Sequence, residues 1–191
     1  MGGRIALHVA LQHPDAVHSL ALISASPGIS GEDERAARRQ ADAKLAANIR
    51  EHGMEWFVRY WENLPLFESQ QRLPPAVREA LNDQRLNCTP EGLAFALENF
   101  GTGNQDDLSS RLAELRMPLL LIAGGLDYKY RNAHSLMRSL AHRTKAQCVE
   151  IRDAGHAALE HLSDGVAVLR RLPGIGRELL KAERDLVALH A

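Results

Sequence analysis

Residues 17–25, VHSLALISA, are rich in β-formers and almost wholly apolar. A strand with no face for water fits a sheet that is covered on both sides, the usual setting of parallel α/β proteins. SPG (26–28) breaks this first strand. MPLLLIAG (117–124) reads as a second apolar strand and AQCVEIRDAG (146–155) as a third. Helical patterns fall around them. Arg4–His13 carries Ile5, Leu7, Val9 and Leu11 and reads as a buried helix that Pro14 helps to end. Helices are also expected over 130–142, over Leu159–Arg171 and, after PGIG (173–176), over RELLKAERDLVALHA. Strands alternating with helices specify an α/β fold with a parallel sheet.

Between the first two strands only helices are expected. Glu32 to about Glu51 is rich in alanine and charge at helical spacing, and Met54–Trp61 makes a second helix ended by Pro65. LPPAVREALNDQRL (73–86) starts a third, with prolines in its first turn. TPEGLAFALENF (89–100) starts a fourth, with Thr89 as N-cap and Pro90 at the first helical position. The chain thus divides into a partial α/β core (1–30 and 102–172), an inserted helical cap (31–101) and a C-terminal helical extension (173–191). Three strands are few for a sheet that usually has ~4–6. The first strand also follows a helix with no strand ahead of it, so it is expected to present a bare apolar edge.

Composition narrows the partners. A net charge of −1 offers no whole-chain attraction to nucleic acid or to an anionic membrane surface. No apolar run approaches the ~20 residues of a membrane span. Arg4, His8 and His13 break any signal-peptide core, and Ala6 stands where a myristoylation site needs Ser or Thr. Cys88 and Cys148 have no CxxC spacing; they read as small, partly buried apolar residues in a reducing, cytoplasmic protein. Nine histidines yield no metal motif: Glu160–His161 does not complete H-E-x-x-H, and His8 and His13 are out of helical phase. GTGNQD (101–106) lacks the third glycine and the preceding strand of a dinucleotide fingerprint. VLRRLPGIGRELLKAERD (168–185) resembles a helix–hairpin–helix element, with Arg170, Arg171, Arg177, Lys181 and Arg184 adding local charge. It also reads as a glycine-terminated helix followed by another helix.

Two loops carry candidate chemistry. Asp127 lies in GGLDYKY just past the second strand, and His156 lies in RDAGHAALE just past the third. Parallel sheets place their sites at the carboxyl ends of their strands. An Asp that orients a His, with the His as general base, is two thirds of a hydrolytic triad. The order Ser, Asp, His is that of α/β-hydrolases, whose nucleophile sits in a G-x-S-x-G elbow between strand and helix. MGGRIALHVALQHP reads as the downstream half of such an elbow: Met1 is the residue after the nucleophile, Gly2 the last glycine, and Gly3–Arg4 open the helix. The plainer reading of the stretch is a glycine-rich start with no such meaning.

MGGRIALHVALQHPDAVHSLALISASPG, DERAARRQAD, WENLPLF, LLLIAGGLD and AGHAALE together resemble the α/β-hydrolase fold family over roughly residues 1–170. Within it, GGR after the elbow, ERAAR and WENLPLF are similar to the 2-succinyl-6-hydroxy-2,4-cyclohexadiene-1-carboxylate synthases of menaquinone biosynthesis. Those enzymes eliminate pyruvate from a multiply carboxylated cyclohexene and use no metal and no cofactor. The resemblance implies a truncated α/β-hydrolase fold that keeps the last three parallel strands and the helical cap. It implies that Asp127 orients His156, that His156 activates a serine ahead of Met1, and that the Met1 N–H is one oxyanion donor. Arg4, Arg38 and Arg85 are the candidates for the substrate carboxylates, since bidentate recognition favours arginine. Trp61 would line the pocket from the cap. A surface arginine and a cap-core tryptophan are the plainer readings of the same residues. The expectation is a C-terminal portion of a carbon–oxygen lyase, inactive without its serine. The alternatives are a portion of an esterase-like hydrolase and a non-catalytic interaction module.

Overall fold

A computed structural model describes residues 1–158. The helices expected over Leu159–Arg171 and in the C-terminal extension, and the helix–hairpin–helix-like element, lie outside the described residues. Three parallel strands form one sheet in the order β1 (Leu20–Ile23), β2 (Leu119–Gly124), β3 (Ala146–Ile151). The register pairs Leu22 with Leu121 and Leu121 with Cys148. All six residues of β2 are buried, as an apolar run between two neighbours requires. β1 is shorter than its apolar run, because Ser24 leaves the strand at φ 44° while its N–H still donates to the Ile122 carbonyl. Among the described residues β1 pairs on one side only, with β2.

The alternation of side chains along each strand sorts the core into two faces. On one face Leu20, Leu22, Leu119 and Leu121 pack with Leu7 and Leu11 of α1 (Gly2–Gln12) and Met137 of α5 (Tyr128–Leu140). On the other, Leu120 and Ile122 pack with Ile151, Ala154 and Ala158. Removing a side chain such as Leu121 from water contributes about 1.5–3 kcal/mol, and Leu119, Leu120 and Leu121 have no exposed surface at all. The sheet is therefore held from both sides of β2, and its strand ends are fixed points for the loops that follow.

Residues between β1 and β2 are helical. α2 (Glu32–Glu62) is two helical stretches that meet at a kink at Gly53, as the sequence suggests. The bend needs glycine: φ 76°, ψ −176° lies in a region L side chains avoid. α3 (Pro75–Leu86) has no buried residue, whereas α4 (Pro90–Phe100) packs on α2. Ala46, Ile49, Met54, Phe57 and Val58 meet Ala94 and Leu97 in a second core separate from the sheet. Thr89 caps α4 through its Oγ1, which accepts the Gly92 N–H at 3.1 Å. Arg50 of α2 bridges Glu91 and Glu98 of α4. The 3-10 segment Pro65–Arg72 then carries Phe67 and Ser69 back to the carboxyl end of the sheet.

Both cysteines are exposed, which corrects the expectation of partial burial. Cys88 follows the unburied α3, and Cys148 lies on β3, which pairs on one side only among the described residues. No helix among the described residues is long and apolar enough to cross a membrane.

Candidate active site

β2 ends at Gly124, and its chain turns at once into α5. Asp127 is the N-cap of that helix: its Oδ1 accepts the Tyr130 N–H at 3.2 Å. Its other oxygen faces His156, whose Nδ1 lies 2.9 Å from Asp127 Oδ2. The carboxylate is buried, and the imidazole is part-exposed. An ionised carboxylate can only accept, so Nδ1 carries the proton and Nε2 is left with its lone pair. This is the arrangement of a general base held by an acidic partner.

His156 is fixed through its backbone as well. Ser24 Oγ donates to the His156 carbonyl at 2.7 Å, and the Gly155 N–H donates to Ser69 Oγ at 3.0 Å. The loops after β2 and β3 are laced together by Gly125 N–H to the Ile151 carbonyl and Leu126 N–H to the Ala154 carbonyl. They touch so closely at Gly124 that a Cβ there would run into the Gly155 and Ala154 carbonyl oxygens. Three separate stretches of chain thus converge on one imidazole: the end of β1, the turn after β2, and the segment after α2.

Aromatic rings complete the surroundings. The Tyr130 ring lies 4.6 Å from the imidazole centroid and the Phe67 ring meets it edge-on at 5.8 Å. Trp61 does not touch His156; it stands behind Phe67 at 4.9 Å and against Phe57 at 5.1 Å. A cleft of about 450 Å³ opens beside the pair, lined by Asp127, His156, Ser69, Leu126 and Arg72. A second cleft of about 340 Å³ lies against Phe67 and contains Arg85, Arg78, Gln70 and Asn82. Arg85 donates to Gln70 Oε1 and Asn82 Oδ1, each at 3.1 Å. Phe67 therefore contributes both to the wall of the Arg85 cleft and to the ring contacts of His156.

Arg4 is buried in the first turn of α1, and its Nη1 has no hydrogen-bond partner. Burial draws its pKa below the ordinary guanidinium value; nearby Arg38 acts the same way, while Tyr130 and Asp42 oppose it. Arg38 donates through Nε to both oxygens of the buried Asp42 at 2.9 Å. Met1 is the N-cap of α1, and its carbonyl accepts the Arg4 N–H at 3.0 Å. Arg4, Arg38, Asp42 and Tyr130 thus form one electrostatic group, and Tyr130 joins that group to His156. The sequence reading missed Ser24, Ser69, Asp42 and Tyr130. Tyr130 stands in the same short loop motif as Asp127, which is the one signal that could have found it. Among the described residues no group of three or more metal-ligating side chains forms.

A parallel sheet bearing an Asp–His pair at the carboxyl ends of consecutive strands defines a class of α/β proteins built for acid–base or acyl chemistry. The chain belongs to the alpha/beta hydrolase fold family, whose model matches residues 1–161. A Bacillus subtilis protein that provisionally carries the name 2-succinyl-6-hydroxy-2,4-cyclohexadiene-1-carboxylate synthase is 45% identical over 130 residues, covering 68% of this chain and 47% of its own length. The synthase of that name from Citrobacter koseri is 33% identical over 166 residues, covering 87% of this chain and 62% of its own. The chain therefore spans about half to under two thirds of the curated relatives it matches. Among solved structures, MenH from S. aureus is similar with a TM-score of 0.83 and 35% identity, over 88% of this chain and 63% of that one. A thermophilic esterase from Thermogutta terrifontis, solved with malate bound, follows at 0.69 and 26%, over 95% of this chain and 62% of that one.

Proposed function

We propose that this chain supplies the Asp–His half of a 2-succinyl-6-hydroxy-2,4-cyclohexadiene-1-carboxylate synthase, an enzyme that eliminates pyruvate from a multiply carboxylated cyclohexene. The observation that carries the reading is the 2.9 Å Asp127–His156 pair joined through Tyr130 to a buried arginine with an unpartnered N–H. A hydrolase needs the first part; a lyase acting on carboxylates also uses the second. Asp127 holds His156 with Nε2 deprotonated. His156 takes the proton of a serine hydroxyl placed at the elbow position ahead of Met1, and that pair removes a proton from the substrate. Loss of the enolpyruvyl group follows as electrons move from the new carbanion toward the breaking carbon–oxygen bond. The Met1 N–H, at the positive end of α1, donates to the oxygen on which charge builds.

Arg4 and Arg38 pair with substrate carboxylates beside His156. Arg85 reaches the distal end of the substrate from the second cleft, and Trp61 backs the Phe67 wall rather than contacting substrate directly. Residues 31–101 act as a cap over the site, and 1–30 with 102–172 as its α/β base. The exposed thiols of Cys88 and Cys148 suit a reducing cytoplasm.

Pyruvate release tests the reading. It is measured on the purified chain and on the same chain fused to the serine-bearing N-terminal half of the Bacillus subtilis relative. Turnover is expected in the fusion alone, and it disappears in His156→Ala. Robust turnover by the chain alone removes the need for the elbow serine. The likeness to the Thermogutta terrifontis esterase favours a second reading, ester hydrolysis on the same Asp–His pair. A fusion that cleaves a simple ester and releases no pyruvate would replace the first reading with that one.

A further inference from the structure

We infer that Tyr130 is a specificity-determining residue of this site, donating its phenol O–H to the same ligand carboxylate that the Arg4 guanidinium holds, while its ring positions His156. The inference rests on the reading of Arg4 as a carboxylate site and adds a second donor to it.

Tyr130 is tied to the catalytic pair at two points. Its N–H is held by Asp127 Oδ1 at 3.2 Å, and its ring lies 4.6 Å from the His156 ring, tilted by 40°. The carboxylate that orients His156 therefore also holds the Tyr130 backbone, and the ring contact sets the Tyr130 ring against the imidazole. Arg4 and Arg38 both act on the phenol electrostatically, favouring its ionised form, while Asp127 acts against it. Burial, with help from Asp127, raises the phenol pKa above its ordinary value, so the group is a neutral donor at any working pH. Arg4 brings the complementary need: a buried guanidinium with Nη1 unpartnered. An unsatisfied buried charged donor is costly to maintain, and an anionic acceptor removes that cost. A carboxylate has two oxygens and about four acceptor positions, enough to take the guanidinium N–H and the phenol O–H together. Such a pair favours a planar carboxylate over a neutral amide of the same shape, because the amide offers one acceptor oxygen and presents N–H groups to the second donor.

Binding to the chain itself tests this without needing turnover. The probes are cyclohex-1-ene-1-carboxylate and the matching carboxamide, titrated while the His156 ring signals are followed by NMR. Wild type is expected to prefer the carboxylate. Tyr130→Phe keeps the ring and removes the donor, so it should weaken the carboxylate on the order of tenfold and leave the carboxamide affinity and the His156 ring chemical shifts of the free protein unmoved. Tyr130→Leu also removes the ring and should move the His156 ring chemical shifts, because the neighbouring ring current at 4.6 Å is lost. If Tyr130→Phe binds the carboxylate as tightly as wild type while Arg4→Gln weakens it, the Tyr130 assignment is overturned and the Arg4 site survives. If wild type shows no preference for the carboxylate, both fall.

Discussion

The Asp127 carboxylate is shared between two tasks: one oxygen caps α5 through the Tyr130 N–H, and the other holds His156 Nδ1 at 2.9 Å. The residue that caps the helix after β2 therefore also aims the residue that follows β3. Asp127→Asn and Asp127→Ala separate the tasks. Asn still caps a helix but cannot accept the Nδ1 proton in the same way, so the imidazole loses its tautomer preference. In the serine-bearing fusion, Asp127→Asn should lower kcat by on the order of a thousandfold or more with little loss of stability. Asp127→Ala should lose activity equally and also about 1 kcal/mol of stability from the missing cap. Parallel urea melts and pyruvate assays read the two effects.

Ser24 anchors His156 from the far side at a backbone cost. Its Oγ donates to the His156 carbonyl at 2.7 Å, while its own φ of 44° is left-handed. Ser24→Ala removes the bond and keeps the strain, and should destabilise the chain by about 1 kcal/mol. Ser24→Gly removes the same bond but relieves the conformation, so it should fall closer to wild type. Chemical denaturation of both variants checks the order; Ala more stable than Gly would show that the backbone, not the hydroxyl, is unimportant here.

The strands were legible because β2 has no polar face to misread, and Asp127 and His156 because each follows an apolar run at the point where parallel sheets put their sites. What the sequence hid was long-range. Ser24 and Ser69 reach the His156 loop across 132 and 86 residues, and nothing local marks a serine for that task. Asp42 reads as one more charge on a charged helix until the fold buries it beneath Arg38. Cysteine exposure is hidden for a related reason: a strand pattern does not say whether the strand is central, and Cys148 lies on one that, among the described residues, pairs on a single side. At Gly53 the break in pattern is real: the backbone leaves helical geometry there, and a second helical stretch follows the kink.

That bend makes a test of chirality. A Cβ at Gly53 meets no atom within 4 Å, so any cost of substitution comes from the φ of 76° and not from crowding. Gly53→Ala should destabilise by about 1–2 kcal/mol. D-alanine at the same position, introduced by chemical ligation, adopts the mirror of an ordinary extended conformation and should be neutral or stabilising. Gly53→Ala should melt below wild type, and the D-alanine protein at or above it. Equal losses would locate the cost in packing.

His134 gives the chain a pH dependence of its own. It is buried on α5, and its Nε2–H donates to the Ala25 carbonyl at 3.0 Å, just beyond β1. Burial pushes its pKa below the ordinary value, outweighing the Ala25 bond and the more distant Asp127. The unfolded chain, with its histidine near about 6.5, therefore binds a proton that the folded chain refuses. Where the unfolded state holds more protons, stability rises with pH. The contribution is complete above the unfolded pKa and is lost as the pH falls below it toward the lower folded value. Urea midpoints of wild type should thus decline from pH 7 toward pH 5 more steeply than those of His134→Gln. The glutamine variant keeps an N–H donor for Ala25 and has no charge to gain, so the difference between the two curves isolates this one group. Parallel curves would mean that His134 takes up its proton without leaving its place.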